Sequence, residues 1–391
     1  MKDNFIFVAG TRPELIKIAP ILKLLYSKGY HPHLIHTGQH WDNSMAANIE
    51  AELGIEKPEY QLKTGEALKG GSFYERLTYM GMEVRQAIKE IQENNGHSQG
   101  IVLVQGDTLS VMAGAIASQQ FEELHLGHVE AGLRSRDYRM PEEHIRIMVD
   151  HMSDVLFIPT DNALAQIQLE LKEGWITGKP YVVGNTAVDI TLQNAERVRK
   201  EGIGAGILQK YGLQKGDYVF MTLHRAENIS DPVTLDTIMQ NVLRMQNATD
   251  KRVLFSVHPN TLGKFVEYAS KGYTYMLDLI PPMETYGIED AAKLIERYPV
   301  LEKRIAAENN NYSVIPIPAV GPLECVYLQS NAAAVVTDSG GLQEECCVLG
   351  TPCITLRFNT ERPVTLREYG GASVLTGNNI DRIRAEYHRA V

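Results

Sequence analysis

The sequence predicts an α/β fold of two doubly wound parallel-sheet domains facing a central cleft. Three observations lead there. Strand-like apolar runs alternate with helix-period segments from end to end, which calls for parallel strands with helices on both faces. A length of 391 residues accommodates two domains of ordinary size. Finally, the loops that follow the strands collect the chain's unusual polar residues, and in open parallel sheets ligands bind beyond the carboxyl ends of the strands.

In the first half, residues 4–9 read as a strand, 13–28 as a helix, 33–37 as a strand, 73–94 as a helix and 101–105 as a strand. The second half repeats the pattern with strands at 218–223, 253–257, 312–316, 333–337 and 353–356 and a helix at 232–247. The break between the halves falls near 183–199. There Gly184, Asn185 and Thr186 close a strand, a polar helix follows, and glycines at 202, 204, 206 and 212 loosen the chain.

Composition narrows the function. Hydrophobic content of 44% and charged content of 22% are those of an ordinary globular protein. With 38 Lys and Arg against 48 Asp and Glu, the net charge of −10 disfavours nucleic acid or an anionic membrane as the main partner, because phosphate backbones need a basic patch. No apolar run reaches membrane-spanning length, and Met1 to Asn4 lead straight into a strand, so the expected location is the cytoplasm. Cys325, Cys346, Cys347 and Cys353 form no CxxC pair and have no matching His cluster. They are expected to be free thiols, with neither a zinc site nor a disulfide framework.

The candidate site begins with TDSGGLQEE, which joins a small apolar strand to a helix. Gly340 and Gly341 bare the amides at the helix start, where the dipole favours an anion, and Glu344 and Glu345 lie about one turn in, able to accept from sugar hydroxyls. The plainer reading of the same stretch is a turn capped by Asp338 or Ser339. In GTRPE after the first strand, Arg12 and then Lys17 stand at a helix start, where cations are mildly unfavourable unless they meet an anion. QGDT, HVEAGLRS and RMPEEHIR add Asp107, Glu130 and Glu142, carboxylates able to divide acid and base work. HRAEN and VHPN put His224, Arg225 and His258 after successive strands, suited to anion binding or proton transfer, and TERPVTLRE adds Arg362. Arg12, Lys17, Arg225 and Arg362 together suit a pyrophosphate. A nucleotide-sugar fits better than a nucleotide with magnesium, since no Walker lysine motif or metal-holding acidic pair occurs.

GTRPELIK, GQH, QGDT, HVEAGLRS, MPEE, VGNTAVD, HRAEN, VHPN, TDSGGLQEE and TERP, in that order over residues 10–363, resemble the non-hydrolysing UDP-N-acetylglucosamine 2-epimerases. The resemblance implies two Rossmann-like domains of GT-B type, 1–185 and 186–377, with a C-terminal helix at 378–391 completing the first, and a homodimer. It implies interconversion of UDP-GlcNAc and UDP-ManNAc by anti elimination of UDP to 2-acetamidoglucal and re-addition, with no redox cofactor or metal. Asp107, Glu130 and Glu142 then correspond to the acid/base carboxylates and His224 to a group assisting UDP departure. Arg12, Lys17, Ser339, Gly340, Gly341, Glu345 and Arg362 correspond to UDP ligands, with Glu345 on the ribose.

The chain departs from that pattern at Cys325, where the family often has an aromatic residue against uracil, at Ala226 and at Val364. Trp41, Asp42 and Asn43 follow Gln39 and His40 where many bacterial members carry an activator-binding glutamine, so activation by substrate is not carried over. The stretch before the strand at 312 is also longer, and reads as a lid, an oligomer contact or decoration. Competing readings are a related UDP-sugar such as a diacetamido uronic acid, a hydrolysing 2-epimerase, a GT-B glycosyltransferase and a non-catalytic nucleotide-sugar sensor.

Overall fold

The computed structural model describes residues 4–39, 49–64, 70–249, 251–303 and 314–391. The residues after Gln39, and part of the long stretch before the strand expected at 312, lie outside the described residues. The chain forms two compact units, Met1–Ile190 and Thr191–Val391, so the boundary falls inside the helix Thr186–Glu201.

The first unit is built on a seven-stranded sheet, every pairing of which is parallel, in the order β3-β2-β1-β4-β5-β6-β7. Its strands are β1 (Asn4–Ala9), β2 (His33–His36), β3 (Tyr60–Gln61), β4 (Gly100–Gln105), β5 (Leu124–Val129), β6 (Val155–Ile158) and β7 (Lys179–Val182). Ile6 and Val8 face one helical layer and Phe7 and Ala9 the other, which is why β1 reads as a nearly continuous apolar run. The chain builds outward from β1 to β3 and then returns to place β4 on the other side of β1. That reversal sets the loops after β1 and β4 side by side, the usual place for a ligand. The turn after β1 is tight: a Cβ on Gly10 would lie 1.9 Å from Ser110 Oγ and 2.0 Å from Thr37 Oγ1, so no side chain fits there.

The second unit carries a six-stranded parallel sheet in the order β10-β9-β8-β11-β12-β13. Its strands are β8 (Tyr218–Leu223), β9 (Arg252–Val257), β10 (Val314–Pro318), β11 (Ala334–Thr337), β12 (Cys353–Thr355) and β13 (Ser373–Leu375). The same reversal occurs at β8 and β11 and sets the HRAEN and TDSGG loops together. β10 runs past Pro316 to Pro318, beyond the expected end, because an edge strand can leave one side of its backbone unpaired and so tolerates proline.

Two further segments pack into the core of the second unit. The helix Ile380–Ala390, expected to complete the first domain, buries Ile383 and Tyr387 in the second unit's core beside Leu235, Val242 and Ile354. Glu386 further ties it down by accepting from Arg367 at 2.8 Å. The long stretch before β10 is likewise part of that core where it is described: Met276, Leu279, Ile280 and Leu301 are buried, and Leu294 and Ile295 of the helix Ile288–Arg297 pack against it. Replacing a buried aromatic side chain by alanine typically costs about 3–5 kcal/mol. Tyr387→Ala should therefore lower the unfolding free energy of the second unit by roughly that amount. An unchanged denaturant midpoint would show that the last helix contributes nothing to this core.

Candidate functional site

In the first unit the helix Arg12–Ser27 starts at a capping box in which Glu14 does most of the work. Its Oε2 accepts from the backbone N–H of Gly10 at 2.8 Å and of Thr11 at 2.7 Å, and from Thr11 Oγ1 at 3.0 Å. Its Oε1 accepts from Thr108 Oγ1 at 2.5 Å, which joins the β1 loop to the β4 loop. Burial pushes the Glu14 carboxyl up to about 7, against the hydrogen bonds from Thr108, Gly10 and Thr11, which favour the ion. Gln39 Oε1 accepts from the N–H and hydroxyl of Ser110 at 2.9 and 2.8 Å and adds the β2 loop to the assembly.

Arg12, the first helical residue, is half-buried. Lys17 lies on the second turn and ion-pairs with Glu130 Oε1 at 2.6 Å, while Gln105 Nε2 donates to Glu130 Oε2. Glu130 itself sits at φ +70°, a left-handed conformation that a side-chain-bearing residue adopts at a cost. That backbone turn places its carboxylate 3.7 Å from where a Cβ on Gly106 would stand, close to the Asp107 loop. Asp107 Oδ2 accepts from Arg146 Nε at 2.9 Å and Nη2 at 2.6 Å.

The MPEE pair divides cleanly. Glu143 is buried and accepts from Ser135 N–H and Oγ, both at 2.9 Å, from Arg136 N–H at 2.7 Å and from Arg146 Nη1. Glu142 is half-buried and, among the described residues, has neither a hydrogen bond nor an ion pair. Beneath them His128 bridges Asp150 Oδ1 at 2.7 Å and the Gly106 carbonyl at 2.9 Å. Burial pushes the Asp150 carboxyl up, but His128 and Arg134 more than offset this and hold it below its ordinary range.

In the second unit Asp338, fully buried, accepts from the backbone N–H of His224 at 3.0 Å and of Arg225 at 2.8 Å and from Asn228 Nδ2 at 3.2 Å. It thus locks the β8 loop to the β11 loop, and Ser339 is the cap, its Oγ accepting from Leu342 N–H at 3.4 Å. The rings of His224 and His258 lie 5.3 Å apart. His258 Nδ1 accepts from Asn260 N–H, so in the neutral ring the hydrogen is on Nε2.

Three guanidiniums gather at this helix start. A Cβ on Gly340 would lie 3.0 Å from Arg362 Nη1 and 3.3 Å from Arg357 Nη1, whereas one on Gly341 would meet only Ser339 Oγ at 3.7 Å. Glycine at 340 thus permits the close approach of the arginines. Glu361 pairs with both Arg357, at 2.8 Å, and Arg362, and Glu344 pairs with Arg362 at 2.9 Å. Arg357 Nε and Nη1 and Arg225 Nε are buried without a hydrogen-bond partner among the described residues. Burial pushes the Arg225 guanidinium below its ordinary range, and the neighbouring Arg357 charge adds to this. Unpartnered buried guanidinium donors beside a helix N-terminus are chemically suited to an anion. Glu345 accepts from Gln329 Nε2.

Several of these groups escaped the sequence reading. Arg357 lies in an unremarkable stretch, and Glu14, Glu143, Arg146 and Glu361 stand inside motifs whose other members carry the assignment. Asp338 was read only as a possible cap. The one available signal was acidic residues next to glycine turns, which does not distinguish a solvated carboxylate from a buried anchor. The four cysteines are free, Cys346 and Cys353 buried and Cys325 and Cys347 half-buried. Among the described residues no group of three or more His, Cys, Asp or Glu could hold a metal ion, and no helix is long and apolar enough to cross a membrane.

Two Rossmann-like parallel-sheet units, each with ordered polar loops at its switch point, define an α/β protein of the GT-B class. The chain belongs to the UDP-N-acetylglucosamine 2-epimerase family, whose profile matches residues 23–391. It is 35% identical over 376 residues to the UDP-N-acetylglucosamine 2-epimerase of Methanocaldococcus jannaschii, covering 96% of this chain and 89% of that protein. The crystal structure of the M. jannaschii UDP-GlcNAc 2-epimerase in complex with UDP-GlcNAc and UDP is similar with a TM-score of 0.78 at 34% identity, over 99% of this chain and 92% of that one. The chain is also 32% identical over 379 residues to the UDP-2,3-diacetamido-2,3-dideoxy-D-glucuronate 2-epimerase of Pseudomonas aeruginosa, covering 96% of this chain and 89% of that protein.

The raised Glu14 carboxyl makes stability depend on pH. Its folded value of about 7 lies above the ordinary 4.5, so the folded state holds the proton more tightly. The contribution is complete below the ordinary value and is lost as pH rises through about 7. A shift of this size corresponds to roughly 3 kcal/mol. Relative to Glu14→Gln, the unmodified protein should lose on the order of that much unfolding free energy between about pH 4 and pH 8. Parallel pH profiles for the two proteins would mean that the carboxyl is ionised throughout.

Proposed function

We propose that this protein is a non-hydrolysing UDP-N-acetylglucosamine 2-epimerase that interconverts UDP-GlcNAc and UDP-ManNAc, working as a homodimer in the cytoplasm. The observation that carries the reading is the anion site of the second unit, where Arg225, Arg357 and Arg362 converge on the Gly340 helix start with donors left over. A leaving diphosphate needs that compensation. The C2 proton of the sugar is poorly acidic, so its removal becomes feasible only as the C1–O bond to UDP breaks and the departing charge is stabilised.

In this reading Asp107, Glu130 and Glu142 supply the base and acid on the two faces of C2. Elimination gives 2-acetamidoglucal and UDP, and re-addition of UDP with protonation from the other face gives the epimer. Ser339, Gly340 and Gly341 present the helix start to the diphosphate, Arg12 and Lys17 add cationic contacts, His224 assists UDP departure and His258 contributes to substrate binding. Glu345 holds the ribose, with Gln329 orienting its carboxylate. A related diacetamido uronic acid sugar is the second reading, favoured by the similarity to the P. aeruginosa enzyme that acts on such a substrate.

The test is incubation with UDP-GlcNAc in deuterated water, followed at C2 by NMR. Deuterium uptake with formation of UDP-ManNAc is the expected result, and free sugar would instead make the enzyme hydrolytic. No exchange with UDP-GlcNAc but exchange with the diacetamido uronic acid sugar would select the second reading. Arg12→Ala should weaken UDP binding about 10-fold or more, the usual cost of a lost charge-assisted contact. Calorimetry that returned the original affinity would remove Arg12 from the UDP site.

A further inference from the structure

We propose that Arg146 is the positioning residue for Asp107 and that Glu143 sets Arg146. This rests on the reading that Asp107 takes part in proton transfer. The Asp107 side chain is 27% exposed and follows Gly106 at φ +86°, so burial and backbone alone do not fix its aim. Arg146 does. Its Nε and Nη2 both donate to Oδ2, at 2.9 and 2.6 Å, while Oδ1 accepts nothing among the described residues. Holding Oδ2 by two nitrogens of a planar fork restrains where the carboxylate sits and leaves Oδ1 unengaged by the arginine.

Arg146 is 3% exposed and lies on the helix Pro141–Met152, four residues and therefore about one turn beyond Glu142. Its remaining arm donates to Glu143 Oε2, and Glu143 gathers the amides of Ser135 and Arg136, which continue the loop that carries Glu130. The guanidinium therefore lies between the β4 loop and the helix face, and Glu143 between that helix and the β5 loop. Its charge also balances Glu143, which is buried without contact with solvent.

The experiment compares Arg146→Lys, Asp107→Asn and the double variant. Lysine keeps the charge and loses the fork. Arg146→Lys should bind UDP within about 3-fold of the original while kcat falls about 100-fold with little change in KM, as expected when a reacting group is displaced by about 1 Å. Asp107→Asn alone should be slower still, and adding Arg146→Lys to it should cost nothing further, because the positioned group is already gone. Full turnover in Arg146→Lys, or an equal additional loss in the double variant, would overturn the positioning role. Full turnover in Asp107→Asn would instead overturn the underlying assignment of Asp107, and this proposal with it. Should Arg146→Lys lose UDP binding through misfolding, Glu143→Gln serves the same comparison. It keeps a carbonyl acceptor for the loop amides and weakens only the hold on Arg146, and the same pair of outcomes decides.

Discussion

Asp338, itself fully buried, accepts two backbone N–H groups from the neighbouring loop and one side-chain amide. A buried carboxylate is tolerated only when its oxygens are satisfied, and the groups that satisfy it are then held as firmly as it is. The same device recurs through the protein. Glu14 holds the β1 turn and Thr108, Glu143 holds Ser135, Arg136 and Arg146, and Asp150 holds His128, Gly132 and Arg134. Loops at strand ends are otherwise the parts of a parallel sheet with least to fix them. Here acidic side chains replace the missing ladder.

These anchors order the loops and helix starts that carry Lys17, Glu130 and Asp107. Lys17 faces Glu130 because its helix begins at the Glu14 cap, and Asp107 follows a loop that the same cap reaches through Thr108. Glu142, without a side-chain partner among the described residues, sits directly beside Glu143, whose carboxylate accepts from Ser135, Arg136 and Arg146. In the second unit the arginines at Gly340 are paired with Glu344 and Glu361, yet some of their buried donors have no hydrogen-bond partner among the described residues.

The family relationship carries the chemistry, and the packing shows where this chain departs from the family pattern. The long stretch before β10 adds Met276, Leu279, Ile280 and Leu301 to the second core, so it is structural where described. Cys325, standing where an aromatic residue is frequent, lies on the helix Pro322–Asn331 within reach of Gln329, the residue that also orients Glu345. A change there would be felt through Gln329 at the Glu345 carboxylate.

By itself the sequence determined the two parallel sheets and the loops that carry the polar residues. Both follow from local pattern: apolar runs such as 218–223, and glycines wherever the backbone must turn sharply, as at Gly10. Only the tertiary structure decided which acidic residues anchor and which stay available. Glu142 and Glu143 are identical in type and adjacent in sequence, yet successive residues on a helix point about 100° apart, so one meets Ser135, Arg136 and Arg146 and the other meets none of them. The same holds for Arg357, whose charge is visible in the sequence but whose burial beside Gly340 is not. Partnering and desolvation depend on residues distant along the chain, and these set the chemistry of an ionisable group as much as its identity does.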